Sequence, residues 1–311
     1  MCLTGCQLSN TPDLGPVPQR ITVTAPQVRR LIQEQFPQWA GLPVQPVASG
    51  GWDNWTFRLG AGMLVRLPSA AEYALAVDKE HRWLPALAPR LPLPVPVPLA
   101  KGEPGADYPY SWSVYPWLHG EPASADRIAD PVRFAADLAG FLTALRSTDP
   151  AGGPRPGKHN WFRGGTLRTY DGAARSALTA LDGHIDAGLA RRIWQTALDA
   201  RGEGAESWFH GDVSEGNLLL RDGQLAAVID FGTCGVGDPA CDLAIAWTLL
   251  TAEGRQVFRE RLSAGEAEWS RGRGWALWKT LVTCARTLDG DDEEEAAGAR
   301  RVLDEILSVT K

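Results

Sequence analysis

The sequence predicts an α+β fold of two lobes, a small β-rich lobe followed by a larger helical one. Two strand-like runs at 55–59 and 63–67 flank a Gly-Ala-Gly turn, which is typical of a β-hairpin. Further along the chain the apolar residues recur at helical spacing instead, most clearly over 131–146. A chain of 311 residues is long enough for two lobes that each have their own core.

The chain divides into a tail and two lobes. Residues 1–20 contain several prolines and glycines and predict a disordered tail. Residues 21–117 hold the hairpin and form the first lobe, and residues 118–311 form the second. We interpret the segment at 116–122, PWLHGEP, as the hinge, because strand-like sequence ends there and helical sequence begins.

The first lobe is also predicted to contain helices. One helix fits about 25–38. Ser69, followed three residues later by Glu72, is a capping-box pattern that predicts the start of a second helix, which runs to about Ala88. The segment 111–115 predicts one more strand before the hinge.

The second lobe is predicted to be mainly helical. Helices fit 131–146 and 171–201, with a loop rich in glycine and proline at 150–165 between them.

Composition and charge exclude several classes of protein. The net charge is −6 and no basic segment stands out, so we expect no nucleic-acid partner. No apolar run approaches the roughly 18 residues of a membrane span. Five cysteines, an odd number without a CxxC pair, predict neither a disulfide framework nor a metal cluster. We therefore expect a cytoplasmic protein with no membrane contact and no obligate protein partner.

The strongest chemical pattern lies at 210–232. Residues 210–217 are HGDVSEGN, and residues 230–232 are DFG. Between them, two apolar runs flank Arg-Asp-Gly-Gln, which predicts a tight hairpin with Asp-Gly at its tip.

This hairpin brings polar side chains together at its open end. Counting back from the tip places Asn217 opposite Val228, so Asn217 and Asp230 become diagonal neighbours on one face, roughly 7–8 Å apart. Oxygen ligands at such positions can hold Mg²⁺ between them. Asp212 precedes the hairpin and could accept a proton in the same space. The pattern therefore predicts phosphoryl transfer, with Asp212 and Asn217 as catalytic residues and Asn217 and Asp230 as Mg²⁺ ligands.

The sequence resembles the aminoglycoside phosphotransferase family, whose fold is like that of protein kinases. HGDVSEGNLLL at 210–220 resembles the catalytic loop of that family, and VIDFGTCGVGDPACDLA at 228–244 resembles its metal-binding strand and following helix. The resemblance runs from about residue 47 to the C-terminal helices. It implies a protein-kinase-like two-lobe fold, with Asp212 as the catalytic base.

Three other polar residues of this region are assigned a structural role. His210 would help to hold the catalytic loop. Asp238 precedes a proline, a pair typical of the N-cap and first position of a helix. Asp242 follows in the first turn, where the family pattern places an acid against the backbone of the catalytic loop.

The nucleotide is expected to bind the first lobe. Ser49, Gly50 and Gly51 occupy the position of a phosphate-covering loop, although no GxGxxG motif is present. Protein kinases pair a strand lysine with a helix glutamate, and the corresponding residues here are Arg66 and Glu80. An arginine can donate two hydrogen bonds to phosphate oxygens, so we expect Arg66 to bind the nucleotide phosphates. The substitution of arginine for lysine leaves the geometry of its pair with Glu80 undetermined.

The hinge is expected to contact the nucleotide base through the Trp117 carbonyl and the Leu118 amide. Tyr115 falls near the gatekeeper position, where a bulky residue could disfavour adenine and favour guanine. Both ATP and GTP are therefore candidate donors.

The acceptor site is the least determined part. In the resembled family, acids of the second lobe bind ammonium groups of the substrate. The candidates for binding a cationic acceptor are Asp289, Asp291, Asp292 and Glu293 to Glu295, and a solvated charged loop is the alternative. The segment WFRGG at 161–165 predicts an ordered loop near the acceptor site, without an assigned role.

The expected reaction is phosphorylation of a hydroxyl of a small molecule, in the first place an aminoglycoside-type antibiotic. A metabolic kinase acting on an amino alcohol, a sugar or another hydroxyl compound is the alternative, because one fold hosts several acceptors. A protein kinase is disfavoured, since the next helix follows DFG too closely for an activation loop. A nucleotide-binding module without catalysis is a further alternative, against which the intact Asp212, Asn217 and Asp230 argue.

Overall fold

The computed structural model describes residues 14–308 apart from 48–50, 203, 205, 289 and 291. An antiparallel sheet with two helices occupies the first part of the chain, and a mainly helical lobe with short strands follows. The predicted α+β architecture, with a small β-rich lobe and a larger helical lobe, is confirmed.

The sheet of the first lobe has five strands, β1 (Val44–Pro46), β2 (Asn54–Leu59), β3 (Met63–Pro68), β4 (Ala100–Gly102) and β5 (Trp112–Pro116). Their order in the sheet is β1-β2-β3-β5-β4. Strands β2 and β3 form the predicted hairpin, with Thr56 opposite Arg66. The hairpin therefore places Arg66 in the centre of the sheet.

Two helices belong to the first lobe, α1 (Ala25–Gln35) and α2 (Ala71–Leu87). The capping box predicted at Ser69 is wrong, because α2 begins with Ala70 at its N-cap and no side chain caps it. The Ser69 hydroxyl instead donates to the Trp52 carbonyl (3.1 Å) and accepts from Arg20 Nε (3.2 Å). These two contacts tie the start of α2 to the turn before β2 and to the segment before α1.

The helices of the second lobe are α3 (Pro131–Arg146), α4 (Asp171–Ala180), α5 (Ala187–Asp199), α6 (Ile245–Thr248), α7 (Ala252–Leu262), α8 (Glu266–Arg286) and α9 (Glu293–Ser308). Helix α3 has the predicted bounds. The single helix predicted over 171–201 is two helices, because Gly183 adopts a left-handed φ of +81° between them. Asp186 then caps α5 by accepting from Leu189 N (2.8 Å).

The strands among the described residues of the second lobe are short: β6 (Glu121–Pro122), β7 (Ser207–Phe209), β8 (Leu218–Arg221), β9 (Gln224–Val228) and β10 (Gly235–Gly237). They form a three-stranded sheet, β6-β8-β9, and the pair β7-β10. Helix α8 packs against α5, α9 and the 3₁₀ turn at Pro239–Ala244. This packing brings α8 beside the loops that join the short strands.

The lobes have separate apolar clusters, but α2 contributes to the second one. Phe57 and Trp112 belong to the cluster of the first lobe, whereas Leu84 and Leu87 of α2 are buried with the helices of the second. Burial of such side chains stabilises the fold by about 1.5–3 kcal/mol each. Helix α2 is therefore anchored to the catalytic lobe.

Three of the cysteines, Cys234, Cys241 and Cys284, are buried free thiols. Within the described part of the chain, no helix is both long enough and apolar enough to cross a membrane.

Candidate active site

The hairpin β8–β9 carries the predicted catalytic residues at its open end, but its register differs from the predicted one. Leu218 pairs with Val228, and Ile229 N donates to the Asn217 carbonyl (2.9 Å). The predicted pairing of Asn217 with Val228 is wrong by one position, because a β-bulge adds a residue to one strand. The bulge brings Asp230 one position nearer to Asn217 along the hairpin.

Asp212 lies in the turn before the hairpin, and its carboxylate is held from two sides. Asn217 Nδ2 donates to Asp212 Oδ2 (3.0 Å) and to the Asp212 carbonyl (2.9 Å), and Lys279 Nζ donates to Oδ1 (2.7 Å). Burial would raise the pKa of Asp212, but the charge and hydrogen bond of Lys279, together with the charge of Arg163, lower it to about 2. Asp212 is therefore an oriented carboxylate at neutral pH.

The backbone of this turn is held by two fully buried side chains. The Asp242 carboxylate accepts from His210 N (2.9 Å) and Gly211 N (2.7 Å). His210 Nδ1 accepts from Asp212 N (3.2 Å), so Nε2 carries the proton and donates to the Ile229 carbonyl (3.0 Å). Through these bonds His210 and Asp242 fix the backbone of the turn that carries Asp212.

Asp238 links the catalytic loops to α8. It caps the turn at 239–244 by accepting from Ala240 N (3.1 Å). Its two carboxylate oxygens also accept from Arg271 of α8 at 2.6 and 3.1 Å, which is a bidentate ion pair. Asp238 therefore holds α8 against the turn at 239–244 that follows the DFG segment.

Arg66 on β3 lies between two carboxylates. Its Nη2 donates to Asp230 Oδ1 (2.9 Å), whereas Nη1 is 3.8 Å from Glu80 Oε1. The other Glu80 oxygen accepts from the buried Tyr115 hydroxyl (2.6 Å). The pair of Arg66 and Glu80 is thus formed at a long distance, and the direct hydrogen bond of the guanidinium goes to Asp230.

Asn217 and Asp230 offer the oxygen atoms that Mg²⁺ prefers. Asn217 gives its Nδ2 hydrogens to Asp212, which leaves Oδ1 as an acceptor. Asp230 accepts from Arg66 through Oδ1, and no described residue bonds to its Oδ2. The described residues contain no group of three or more His, Cys, Asp or Glu side chains that could hold a metal. One amide and one carboxylate oxygen fit Mg²⁺ when nucleotide phosphates complete its coordination.

The two hinge groups that are predicted to contact the nucleotide base have no hydrogen-bond partner among the described residues. Trp117 N donates to the Gly62 carbonyl of the β2–β3 turn (2.8 Å). Within the described residues, nothing bonds to the Trp117 carbonyl or the Leu118 amide. Both groups are therefore available to the edge of a base.

The predicted phosphate-covering loop is only partly described. Ser49 and Gly50 lie outside the described residues, and Gly51 is exposed before β2. Asp53, which the sequence reasoning missed, has its pKa raised to about 6 by burial and by the charge of Asp230. Its position directly after Gly-Gly-Trp was the sequence feature that could have identified Asp53. Asp53 adds a titratable carboxyl group next to the predicted phosphate-covering loop.

Lys79, which precedes Glu80 on α2, is a second residue that the sequence reasoning missed. Its side chain is buried, and Nζ donates to the carbonyls of Gly232 (2.6 Å) and Cys234 (3.0 Å) beside His159 Nδ1 (3.2 Å). Burial lowers the pKa of this ammonium group. The contacts fasten α2, and with it Glu80, to the segment that follows Asp230.

A cavity of about 840 Å³ opens beside Asp212. Trp275, Trp278 and Lys279 of α8 line it, and their i, i+3, i+4 spacing places them on one face of the helix. Arg163 also lines the cavity, so the WFRGG segment lies at the predicted acceptor side. The spacing of Lys279 to the two tryptophans is visible in the sequence, but nothing there indicates that this face of α8 meets Asp212, 67 positions away.

Asp292 has a role other than acceptor binding. Its Oδ1 accepts from Glu295 N (3.0 Å) before the first turn of α9, so the carboxylate acts as a helix cap and does not line the cavity. Asp289 and Asp291 lie outside the described residues. Glu295 does line the cavity, but it forms an ion pair with Arg286.

Comparisons with solved structures identify the fold. The GDP and kanamycin complex of APH(2")-IIia has a TM-score of 0.71 and 17% identity, covering 91% of this chain and 99% of that one. The GDP complex of wild-type aminoglycoside 2'-phosphotransferase-IIIa has a TM-score of 0.67 and 16% identity, covering 92% and 99%. The macrolide 2'-phosphotransferase MphH from Brachybacterium faecium has a TM-score of 0.57 and 20% identity, covering 90% and 97%. The shared fold is the kinase-like one that the motifs implied.

The family comparison reaches beyond the fold. No sequence among the curated proteins matches the chain. The family described as the phosphotransferase enzyme family matches residues 44–275, from β1 into α8, which is most of the chain. This stretch includes Asp212, Asn217 and Asp230. The protein therefore belongs to the phosphotransferase enzyme family, in which the motifs of the catalytic hairpin had placed it by resemblance.

Proposed function

We propose that the enzyme transfers the terminal phosphoryl group of ATP or GTP, in the presence of Mg²⁺, to a hydroxyl group of a small molecule. The observation that carries this proposal is the Asp212 carboxylate, held by Asn217 at 3.0 Å and by Lys279 at 2.7 Å at the mouth of a large cavity. An oriented carboxylate between a phosphate site and an acceptor cavity is what hydroxyl phosphorylation requires.

Asp212 would orient the acceptor hydroxyl and take its proton. A carboxylate with a pKa of about 2 is a weak base towards a free alcohol. In a loose transition state the hydroxyl becomes acidic only as its oxygen bonds to phosphorus, so the proton moves late and positioning dominates. Asn217 supports this role because its amide group fixes the rotation of the Asp212 carboxylate.

The donor side supports the same reaction. The Arg66 guanidinium can contact phosphate oxygens through its fork, and Asn217 and Asp230 would hold Mg²⁺. The bound Mg²⁺ supplies charge neutralisation of the phosphate oxygens. The GDP present in two of the matched structures supports GTP as a donor, and ATP is tested beside it. Because these nucleotides are cytoplasmic, we propose that the enzyme acts there.

Two acceptor classes follow from different observations. Kanamycin in one matched complex, and the motif resemblance, support an aminoglycoside-type antibiotic. A metabolic hydroxyl compound is favoured by the cavity itself, where Glu295 and Glu305 are paired with arginines and leave little free negative charge for ammonium groups.

A nucleotide-turnover assay tests the proposal. Purified enzyme with Mg²⁺ and either ATP or GTP is screened against aminoglycosides, macrolides, amino alcohols and sugars, with the Asp212→Ala variant as the blank. We expect acceptor-dependent release of nucleoside diphosphate by the wild type only. Tight nucleotide binding without turnover on any acceptor would instead favour a binding module.

A further inference from the structure

Arg163 is a cation with no carboxylate partner among the described residues. Its Nη1 donates to the Tyr170 hydroxyl (3.2 Å), and no other described acceptor bonds to its guanidinium. The guanidinium carbon lies 4.7 Å from the ring centre of Trp278, 5.4 Å from that of Trp275 and 5.5 Å from that of Tyr170. Aromatic faces stabilise the charge without occupying its hydrogen-bond donors. Most of these donors are therefore free for a ligand.

The loop that carries Arg163 has a backbone conformation that its residues rarely adopt. Trp161 and Phe162 both have left-handed φ values, 54° and 57°, which non-glycine residues rarely adopt. Gly164 follows with φ +71°, and a Cβ there would lie 2.0 Å from the Phe209 ring. Strained backbone of this kind persists only where the surrounding structure enforces it, and it is common at ligand sites.

Three of the carboxylates that line the cavity are paired with neighbouring cations. Asp212 pairs with Lys279, Glu295 with Arg286 and Glu305 with Arg255. Glu215 is the one carboxylate of the described lining without an ion pair, whereas a polycationic acceptor needs several free carboxylates.

The Arg163 guanidinium lies in the lining of the cavity without a carboxylate partner among the described residues. The complement of a free guanidinium is a group rich in hydrogen-bond acceptors that carries negative charge.

We propose that the acceptor carries an anionic group, a carboxylate or a phosphate, which binds the Arg163 guanidinium while its hydroxyl lies at Asp212. This inference rests on the proposed function. The planar fork of arginine matches both anions. Lys279, bonded to Asp212, adds positive charge on the same side of the cavity.

The anion that Arg163 binds could belong to the acceptor or be the transferred phosphoryl group. The position of Arg163 favours the acceptor. On the donor side, Arg66 already lies beside Asp230. Arg163 instead lies among Trp275 and Trp278, which line the same cavity as Asp212.

The test uses the full chain and pairs of hydroxyl compounds that differ in one anionic group: gluconate with glucose, pantothenate with panthenol, and glycerol 3-phosphate with glycerol. Binding is measured by calorimetry without nucleotide, and turnover is measured with Mg²⁺ and ATP or GTP. We expect at least one acid to bind and to react with kcat/KM at least about 10-fold above that of its uncharged partner, the scale of one charge-assisted hydrogen bond.

The variants assign this preference to the guanidinium. Arg163→Gln should reduce the ratio of kcat/KM for the acid to that for its partner by about 10- to 100-fold. Arg163→Lys keeps the charge and the packing stem and should retain part of the ratio. Arg168→Gln is the matched control, because Arg168 lies five positions along the chain and is exposed outside the cavity lining. It should leave the ratio unchanged.

Several results would overturn the inference. One is that none of the acids binds. Another is that the enzyme prefers an uncharged partner or an aminoglycoside. A third is that Arg163→Gln lowers kcat/KM equally for an acid and for its uncharged partner. The last result would assign Arg163 to the transferred phosphoryl group or to the fold. Acids that bind without turnover on any acceptor would contradict the proposed function and leave the anion site supported, so the two failures are distinguishable.

Discussion

Two arginines of the candidate site, Arg66 and Arg163, differ in their surroundings. Arg66 is 2.9 Å from Asp230 and 3.8 Å from Glu80. Arg163 contacts the rings of Trp275 and Trp278 and has no ion pair among the described residues, although its charge helps to lower the pKa of Asp212. The first guanidinium is paired with protein carboxylates, whereas we propose that the second is available to an anionic ligand.

This difference explains how one enzyme handles two ligands. A nucleotide brings several negative charges, and its phosphates can take over the contacts that Arg66 makes with carboxylates, particularly when a metal occupies Asp230. The acceptor is selected by its own chemistry, and we propose that the unpaired charge of Arg163 makes this selection.

The largest effect is expected at Asp212. Asp212→Asn keeps the shape but removes the proton acceptor, so kcat should fall by about 100- to 10,000-fold, the contribution of a general base. Nucleotide affinity, measured by calorimetry, should change little. Asp137→Asn on the exposed face of α3 is the control. A kcat within threefold of the wild-type value would show that Asp212 is not the base.

The next largest effect is expected at Asp230. Asp230→Asn should weaken nucleotide binding by about 100-fold in the presence of Mg²⁺, because it removes the one carboxylate proposed as a ligand. In EDTA the loss should be much smaller. Nucleotide titrations in Mg²⁺ and in EDTA distinguish a role of Asp230 as metal ligand from its role as ion-pair partner of Arg66. Equal losses with and without Mg²⁺ would mean that Asp230 acts through its ion pair with Arg66.

The two arginines should differ in their contribution to stability. Arg66→Met leaves Glu80 buried without a counter-charge and should lower the free energy of unfolding by about 3 kcal/mol. Arg163→Met leaves no carboxylate without its ion-pair partner and removes only the cation–π contacts. It should therefore lower the free energy of unfolding by about 1 kcal/mol. Denaturant unfolding measures both. Adding Glu80→Gln to Arg66→Met should recover part of the loss, and equal losses for the two arginines would contradict the comparison.

A smaller effect than that of Arg66→Met is expected at Lys79. Lys79→Met leaves the carbonyls of Gly232 and Cys234 without their donor and should destabilise the protein by about 2 kcal/mol. The apparent KM for nucleotide should rise, because α2 and Glu80 are no longer fastened to the segment after Asp230. Lys101→Met on β4, which lies in more exposed ion pairs, is the control. An unchanged unfolding curve would show that the buried ammonium contributes nothing.

The donor side was largely predictable from the sequence because its signals are local. The Gly-Ala-Gly turn predicts the hairpin that centres Arg66, and the Asp-Gly tip predicts the hairpin that carries Asn217 and Asp230. Its register was not predictable, since a bulge inserts a residue without a composition signal. The Ser69 capping pattern failed for a related reason, because tertiary contacts of its hydroxyl replaced the local one.

The acceptor side was not predictable, because its contacts join distant parts of the chain. Lys279 and Asp212 are 67 positions apart. A lysine on a helix is most often a solvated side chain, so Lys279 does not stand out by type. The same holds on the donor side for Lys79, which is 153 positions from its partner Gly232. The WFRGG segment was recognisable as an ordered loop, but the free charge of Arg163 follows only from the rings packed around it.

The central claim is phosphoryl transfer to a hydroxyl with Asp212 as the proton acceptor. The most direct measurement is the mass of the acceptor after reaction, taken together with the amount of nucleoside diphosphate released, for wild type and Asp212→Asn. We predict one phosphorylated acceptor for each diphosphate in the wild type and no detectable product in the variant. Diphosphate released without a phosphorylated acceptor, or equal product from both proteins, would contradict the account.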